Sequence, residues 1–237
     1  MREVKDNDIA IIGYAFEFPN GTDSDEKFWR VLKNGEDLVR EIPKSRWDWK
    51  KIYNSNPNAK GKSYSYHGAF LNDIEKFDAN AFRIMPVEAK ELDPQQRLVL
   101  KTSWRALENS YLNIEKLKHS DTGVFIGATM DDYLQLQTRV DCGKNIDRYT
   151  HFGSVLNDIS GRVSYVYGFH GPSMTIDTAC SSSISALDAA IKSLKEGDCE
   201  MALAGGVNVI LTEELYIKFS RTQMLSKTGA CKTFDDS

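Results

Sequence analysis

The chain has 237 residues, enough for one substantial core or two small ones. Apolar residues make up 41% and charged residues 27%, an ordinary balance for a globular protein; the formal net charge of -4, with no basic stripe, argues against nucleic acid as a partner. No apolar run approaches the ~20 residues that span a bilayer. Residues 1–8 are charged and lack a signal-peptide apolar region. The four cysteines show no Cys-x-x-Cys or other metal-ligand spacing, so no metal site is expected, and Cys142, Cys199 and Cys231 read as free thiols of a reducing cytoplasm.

In chain order, residues 9–13 read as a short buried-type strand. A helix is expected over 23–33, with Asp23 and Glu26 at capping-box spacing and Gly35 as its stop. Residues 46–70 are aromatic, polar and Asn-rich with little periodicity, and read mostly as loop. Asp93-Pro94-Gln95-Gln96 is a helix start in which Asp93 caps, Pro94 takes the first turn and Gln96 closes the box; that helix runs to Asn109. Residues 122–127 form a strand, and 131–137 and 153–167 form helices. Gly171-Pro172 sets off a strand over 173–177, and a helix follows over 181–195. Ile184, Leu187, Ile191 and Leu194 share one face of that helix, and Gly197 stands where its C-terminal cap belongs. A second strand over 201–207 completes a strand–helix–strand unit. There is no internal repeat or low-complexity run. Strands alternating with helices place the chain in the α/β class.

Cys180 falls between the strand over 173–177 and the helix over 181–195. Unpaired N–H groups and roughly half a positive charge collect at a helix start. Such a place favours a negatively charged sulfur, the nucleophilic form, and offers donors to the oxyanion of a thioester under attack. A lone cysteine after a strand is more often a small core residue. Here three serines follow it, and they suit a first turn where hydroxyls cap N–H groups.

Asp177-Thr178-Ala179-Cys180-Ser181-Ser182-Ser183 resembles the active-site signature of the β-ketoacyl synthases, the condensing enzymes of fatty-acid and polyketide synthesis. Leu92-Asp93-Pro94-Gln95-Gln96-Arg97-Leu98, Gly205-Gly206-Val207-Asn208 and the run from Met224-Leu225-Ser226-Lys227 to Phe234-Asp235 resemble further motifs of that family, in family order. Phe28-Trp29-Arg30 and Glu41-Ile42-Pro43-Lys44-Ser45-Arg46-Trp47-Asp48 are similar to the ketosynthase domains of type I polyketide synthases; polyunsaturated-fatty-acid synthases share parts of this pattern and remain an alternative.

The resemblance implies a thiolase-type fold, of which residues 1–237 would be the N-terminal half, layered α/β with a mixed five-stranded sheet. It implies Cys180 as the catalytic nucleophile, loaded with an acyl chain from the phosphopantetheine arm of acyl carrier protein, with no cofactor bound directly. A malonyl-type extender on a second carrier then undergoes decarboxylative condensation, assisted by two histidines in motifs that this sequence does not contain. His67, His119, His151 and His170 match neither motif, so the chain reads as truncated and inactive alone. Asp177 and Thr178 are expected to hold the turn, and Arg97 and Arg162 to form structural ion pairs. Expected partners are acyl carrier protein, a second copy in a homodimer and other polyketide synthase domains. Two rivals belong to other classes. A thiol hydrolase or simple transacylase would need an acid–base partner that no local motif supplies. Against a non-catalytic dimerisation or carrier-docking half stands the retained Cys180, which non-catalytic relatives often replace.

Overall fold

The computed structural model describes residues 8–139, 144, 146, 148–234 and 236. Along them run α1 (Asp25–Asn34), β1 (Arg40–Glu41), β2 (His67–Gly68), α2 (Pro86–Glu91), α3 (Pro94–Asn109), β3 (Thr122–Gly127), α4 (Asp132–Arg139), α5 (Arg148–Ser154), α6 (Asp158–Tyr167), β4 (Ser173–Ile176), α7 (Ser182–Glu196), β5 (Met201–Gly206) and α8 (Glu214–Arg221). They fall into two compact units. Met1–Phe16 with Ile74–Asn208 form the larger, and Glu17–Asp73 with Val209–Ser237 the smaller.

The larger unit is built on a parallel sheet in the order β4-β3-β5. β3 is buried along its whole length, as expected of a central parallel strand covered on both faces. Its side chains alternate between two cores. Val124 and Ile126 join Leu100 and Leu107 of α3 and Ile159 and Val163 of α6. Phe125 points the other way, against Ala186 and Ala190 of α7. The unit is therefore a sheet between α7 on one side and α3 and α6 on the other. Three parallel strands, among the described residues, stand where the resemblance implied a mixed sheet of five. Residues 9–13, expected to be a strand, pair with none of them, and Ile11 is 87% exposed. Instead the segment is tied to α3: the Tyr14 N–H donates to Asn109 Oδ1 at 3.0 Å, and Gly13 lies so close that a Cβ there would meet the Ala106 carbonyl at 2.5 Å.

Several boundaries differ for local physical reasons. The single helix expected over 153–167 is two, α5 and α6. The Gly153 carbonyl is taken by the Asp93 N–H at 2.6 Å and by Gln96 Nε2 at 3.0 Å, so α5 ends there. The same bond means that Gln96 does not close a capping box; Asp93 alone caps α3, accepting from the Gln95 N–H at 2.7 Å. α1 is capped by Ser24, one residue after the expected Asp23, and Asp23 pairs with Lys27 instead. Gly35 and Gly197 close α1 and α7 in the left-handed conformation, as expected. On α7, Ile184 is 68% exposed and Leu187 also faces out, whereas Ala186 and Ala190 pack on the sheet. Small residues let the helix approach the strands closely.

The smaller unit has little regular structure, consistent with the loop expected over 46–70. Its core is an aromatic cluster around Ile42, Phe70 and Tyr216, with Trp47, Trp49, Tyr66 and Leu225 packed on it. Trp47 meets Phe70 and Tyr216 edge-on at 6.0 and 5.4 Å, and Trp49 stacks on Tyr66 at 4.1 Å. Arg46 Nη2 donates to the Leu71 carbonyl, and the Tyr64 hydroxyl to that of Leu225. Part of the run from Met224 to Phe234 is thus built into this core; Asp235 lies outside the described residues.

Candidate active site

Cys180 is exposed, in the five-residue link between β4 and α7. The link turns sharply because Ala179 adopts φ +56°, a left-handed conformation uncommon for a residue with a side chain. The Asp177 carboxylate braces it by accepting from the Ala179 N–H at 2.9 Å. The Thr178 hydroxyl pairs with Ser185 Oγ at 2.8 Å and accepts from Ser181 Oγ at 2.9 Å. Asp177 and Thr178 therefore hold the turn, as expected.

The serines work differently from the expectation. Ser181 Oγ donates to the Thr178 carbonyl at 2.7 Å, and Ser182 Oγ donates to the Ala179 carbonyl at 2.6 Å while accepting from the Thr178 N–H. Their hydroxyls satisfy the turn that carries Cys180. Ser181, at the N-cap position, makes no side-chain bond to the N–H groups of α7. Main-chain carbonyls take the first N–H groups instead: that of Ser182 donates to the Ala179 carbonyl at 3.0 Å.

Two glycines seat this helix start, and sequence reasoning did not single out their role. A Cβ on Gly127, the last residue of β3, would stand 2.5 Å from the Ser182 carbonyl carbon and the Ser183 nitrogen. One on Gly206, the last residue of β5, would stand 2.7 Å from Ser183 Cβ. Glycine at the end of a strand, next to a helix start, is the signal that could have found them.

The other candidates lie away from this turn. Arg162 forms the expected ion pair, with Glu88, and Nε donates to Gln96 Oε1 at 2.9 Å. Arg97 departs from expectation: it donates to backbone carbonyls, from Nη2 to Leu92 at 2.6 Å and from Nη1 to Glu75 at 3.3 Å, and covers the Tyr133 ring. Cys199 is a buried free thiol beside Ser193, and Cys231 an exposed one; Cys142 lies outside the described residues. Among the described residues, no group of three or more His, Cys, Asp or Glu side chains is arranged to hold a metal ion.

The family model described as "Beta-ketoacyl synthase, N-terminal domain" matches residues 6–237. The chain belongs to the β-ketoacyl synthase family. Relatives of this ketosynthase chain include the pikromycin polyketide synthase component PikAIII of Streptomyces venezuelae, 41% identical over 97% of the chain and 15% of the relative. A mycocerosic acid synthase-like polyketide synthase of Mycolicibacterium smegmatis is 44% identical over 96% of the chain and 11% of the relative. Among solved structures, the oxazolomycin ketosynthase domain OzmH KS7 of Streptomyces albus JA3453 superposes with a TM-score of 0.87 at 37% identity, over 96% of this chain and 38% of that one. The ketosynthase from module 6 of the bacillaene synthase of Bacillus subtilis 168 superposes with a TM-score of 0.80 at 32% identity, over 94% of this chain and 36% of that one. The fold is thus that of the ketosynthases, the thiolase type, and the chain spans a small fraction of its curated relatives and under two-fifths of these structures.

Proposed function

We infer that this chain carries the acyl-accepting nucleophile of a polyketide-synthase ketosynthase, and that Cys180 is that nucleophile. The observation that carries the reading is the setting of Cys180: exposed, on a braced left-handed turn, at a helix start with no side-chain cap. In this role the sulfur attacks the thioester carbonyl of an acyl chain held on the phosphopantetheine of acyl carrier protein. A tetrahedral oxyanion forms, with the Cys180 N–H assigned as one of its donors, and collapses with departure of the carrier thiol. Dividing the condensation in two, the acyl-cysteine then meets a carbanion equivalent from a malonyl-type extender.

The second stage needs donors at the extender's thioester oxygen. The histidine motifs that supply them in the family are not among these 237 residues, and no polar contact described for the Cys180 turn involves a histidine. We assign loading, and not condensation, to this chain by itself. Removing one such donor typically costs about 10²–10³ in rate. Acyl carrier protein, a second copy in a homodimer and neighbouring synthase domains are the partners this reading assigns. A cytoplasmic location goes with them; among the described residues no helix is long and apolar enough to cross a membrane.

The test is to offer the chain an acyl carrier and a malonyl carrier, and to follow acyl transfer by intact-protein mass spectrometry alongside carbon dioxide release. Acyl mass on Cys180, lost in Cys180→Ala, without condensation product supports the reading. Acylation that persists in Cys180→Ala, or condensation at the rate of an intact ketosynthase, overturns it.

A further inference from the structure

At the end of the sheet away from Cys180, two histidines face each other. His119 precedes β3 and His170 precedes β4, and these neighbouring strands are parallel. His119 Nδ1 and His170 Nε2 are 3.2 Å apart, with ring centroids at 5.0 Å and planes inclined at 62°. Both side chains are exposed. The main chain fixes their spacing: the His119 N–H donates to the Gly168 carbonyl at 2.7 Å, and the His170 N–H to the Ser120 carbonyl at 2.9 Å. His119 holds a left-handed φ of +65°, and His170 follows Phe169, which is buried in the main core. Lys118, the cation next to His119 in sequence, is paired with Glu115.

We propose that His119 and His170 form a two-point chelate for a divalent transition-metal cation of the imidazole-preferring class, Cu²⁺, Ni²⁺ or Zn²⁺. Two nitrogens bound tetrahedrally to one zinc at its usual bond length stand about 3.3 Å apart, close to the separation found here. In the present pair one ring donates an N–H to the lone pair of the other. When a metal enters, that bridging proton shifts to the outer nitrogen of its own ring. Both inner lone pairs are then free to bind, the rings stay neutral and no net proton is released. Each ring needs only to swing so that the lone pairs converge, and exposure leaves it room. The backbone bonds hold the two arms at chelating distance before the metal arrives, so little ordering cost is added on binding. Water completes the coordination, since among the described residues no third His, Cys, Asp or Glu joins the pair. The cation would tie the turn before β3 to the turn before β4, 51 residues apart in sequence.

The probe is Cu²⁺, the strongest binder of the first-row divalent ions, added to the 237-residue chain after its accessible thiols have been alkylated. Binding should saturate at one ion per chain, with an electron paramagnetic resonance spectrum showing coupling to two imidazole nitrogens. His119→Asn keeps a residue that tolerates the left-handed backbone and should weaken binding by about a hundredfold, because an intramolecular second ligand is lost. His170→Gln should do the same, and His151→Asn should change nothing. Ni²⁺ should raise the melting temperature of the parent chain and not of the variants, each first checked for native circular dichroism. The proposal is overturned if Cu²⁺ does not saturate at one site, if the spectrum shows fewer than two imidazoles, or if folded His119→Asn binds as tightly as the parent. Should His170→Gln fail to fold, His119→Asn decides alone.

Discussion

In the larger unit, α3 begins on Asp93, which is buried, accepts from the Gln95 N–H at 2.7 Å and sends its own N–H to the Gly153 carbonyl. Pro94, at the first helical position, removes one more donor. α7 begins beside Cys180 with no side-chain cap, and the Asp177 carboxylate and the hydroxyls of Ser181 and Ser182 are spent on the turn. Both starts carry the same dipole. At α3 a buried side chain, Asp93, makes the cap; at α7 a main-chain carbonyl does, the Ser182 N–H donating to that of Ala179 at 3.0 Å, beside the exposed Cys180. The two helix starts thus differ in where the neighbouring side-chain oxygens are turned.

Breaking the seat of α7 should have the largest effect on stability. Gly127→Ala puts a methyl group against main-chain atoms of Ser182 and Ser183, which cannot swing aside as a side chain could. A loss of about 2–3 kcal/mol is expected in urea unfolding, with slower acyl loading as the turn shifts. Gly205→Ala, one residue before the equivalent seat on β5 and with nothing within 4 Å of the new Cβ, should stay within about 0.5 kcal/mol of the parent. Equal losses in the two variants would break the account of the seat.

Removing the closed cap comes next. Asp93→Ala should cost about 1 kcal/mol or somewhat more, while Asp93→Asn keeps an acceptor for the Gln95 N–H. Asp93 also gives the comparison a pH dependence. Burial pushes its carboxyl up from 3.8 to about 6, against the opposing pull of the Gln95 hydrogen bonds and Arg97. The folded chain therefore holds the Asp93 proton more tightly than the unfolded chain does. The stabilisation is complete below about pH 4 and is lost as pH rises through about 6. Unfolding free energy measured across that window should fall with pH in the parent and lose this component in Asp93→Asn. An unchanged slope in Asp93→Asn would remove Asp93 as its source.

The smallest effect is expected at the open start. Ser182→Ala deletes one donated and one accepted hydrogen bond of the turn, and about 1 kcal/mol should be lost. Because those bonds brace the turn and do not cap α7, loading of Cys180 should suffer more than helix content. Far-ultraviolet circular dichroism and acyl-loading rates on the same samples separate the two; a drop in helix content with full loading would reverse the assignment.

The strand–turn–helix around Cys180 was legible because punctuation and period agreed: Gly171-Pro172 ahead of β4, Gly197 after α7, and apolar spacing between. α3 was legible from Asp93-Pro94 for the same reason, and β3 covers the six residues, 122–127, over which a strand was expected. What stayed hidden depends on residues distant in sequence. The break between α5 and α6 follows from the Gly153 carbonyl bonding to Asp93 and Gln96, some sixty residues earlier. The buried face of α7 is set by Ala186 and Ala190, which pack with Phe125 of β3; of the large apolar residues expected on that face Leu194 joins them, while Ile184 and Leu187 are exposed. α2, six residues long, is too short to show a period. At the candidate site, the place of Cys180 between β4 and α7 was legible, whereas the left-handed Ala179, the direction of the Ser181 and Ser182 hydroxyls and the two glycine seats appear only when the turn is built.

Cys180, exposed beside the start of α7, is the nucleophile proposed above, and competitive alkylation tests that assignment most directly. The chain would be treated with substoichiometric iodoacetamide over a range of pH, and modification at each thiol read by peptide mass spectrometry. Cys180 should react first and keep its lead over Cys231, which is also exposed but has no helix start beside it, and over buried Cys199. Modification of Cys231 at the same rate as Cys180, or ahead of it, would contradict the account.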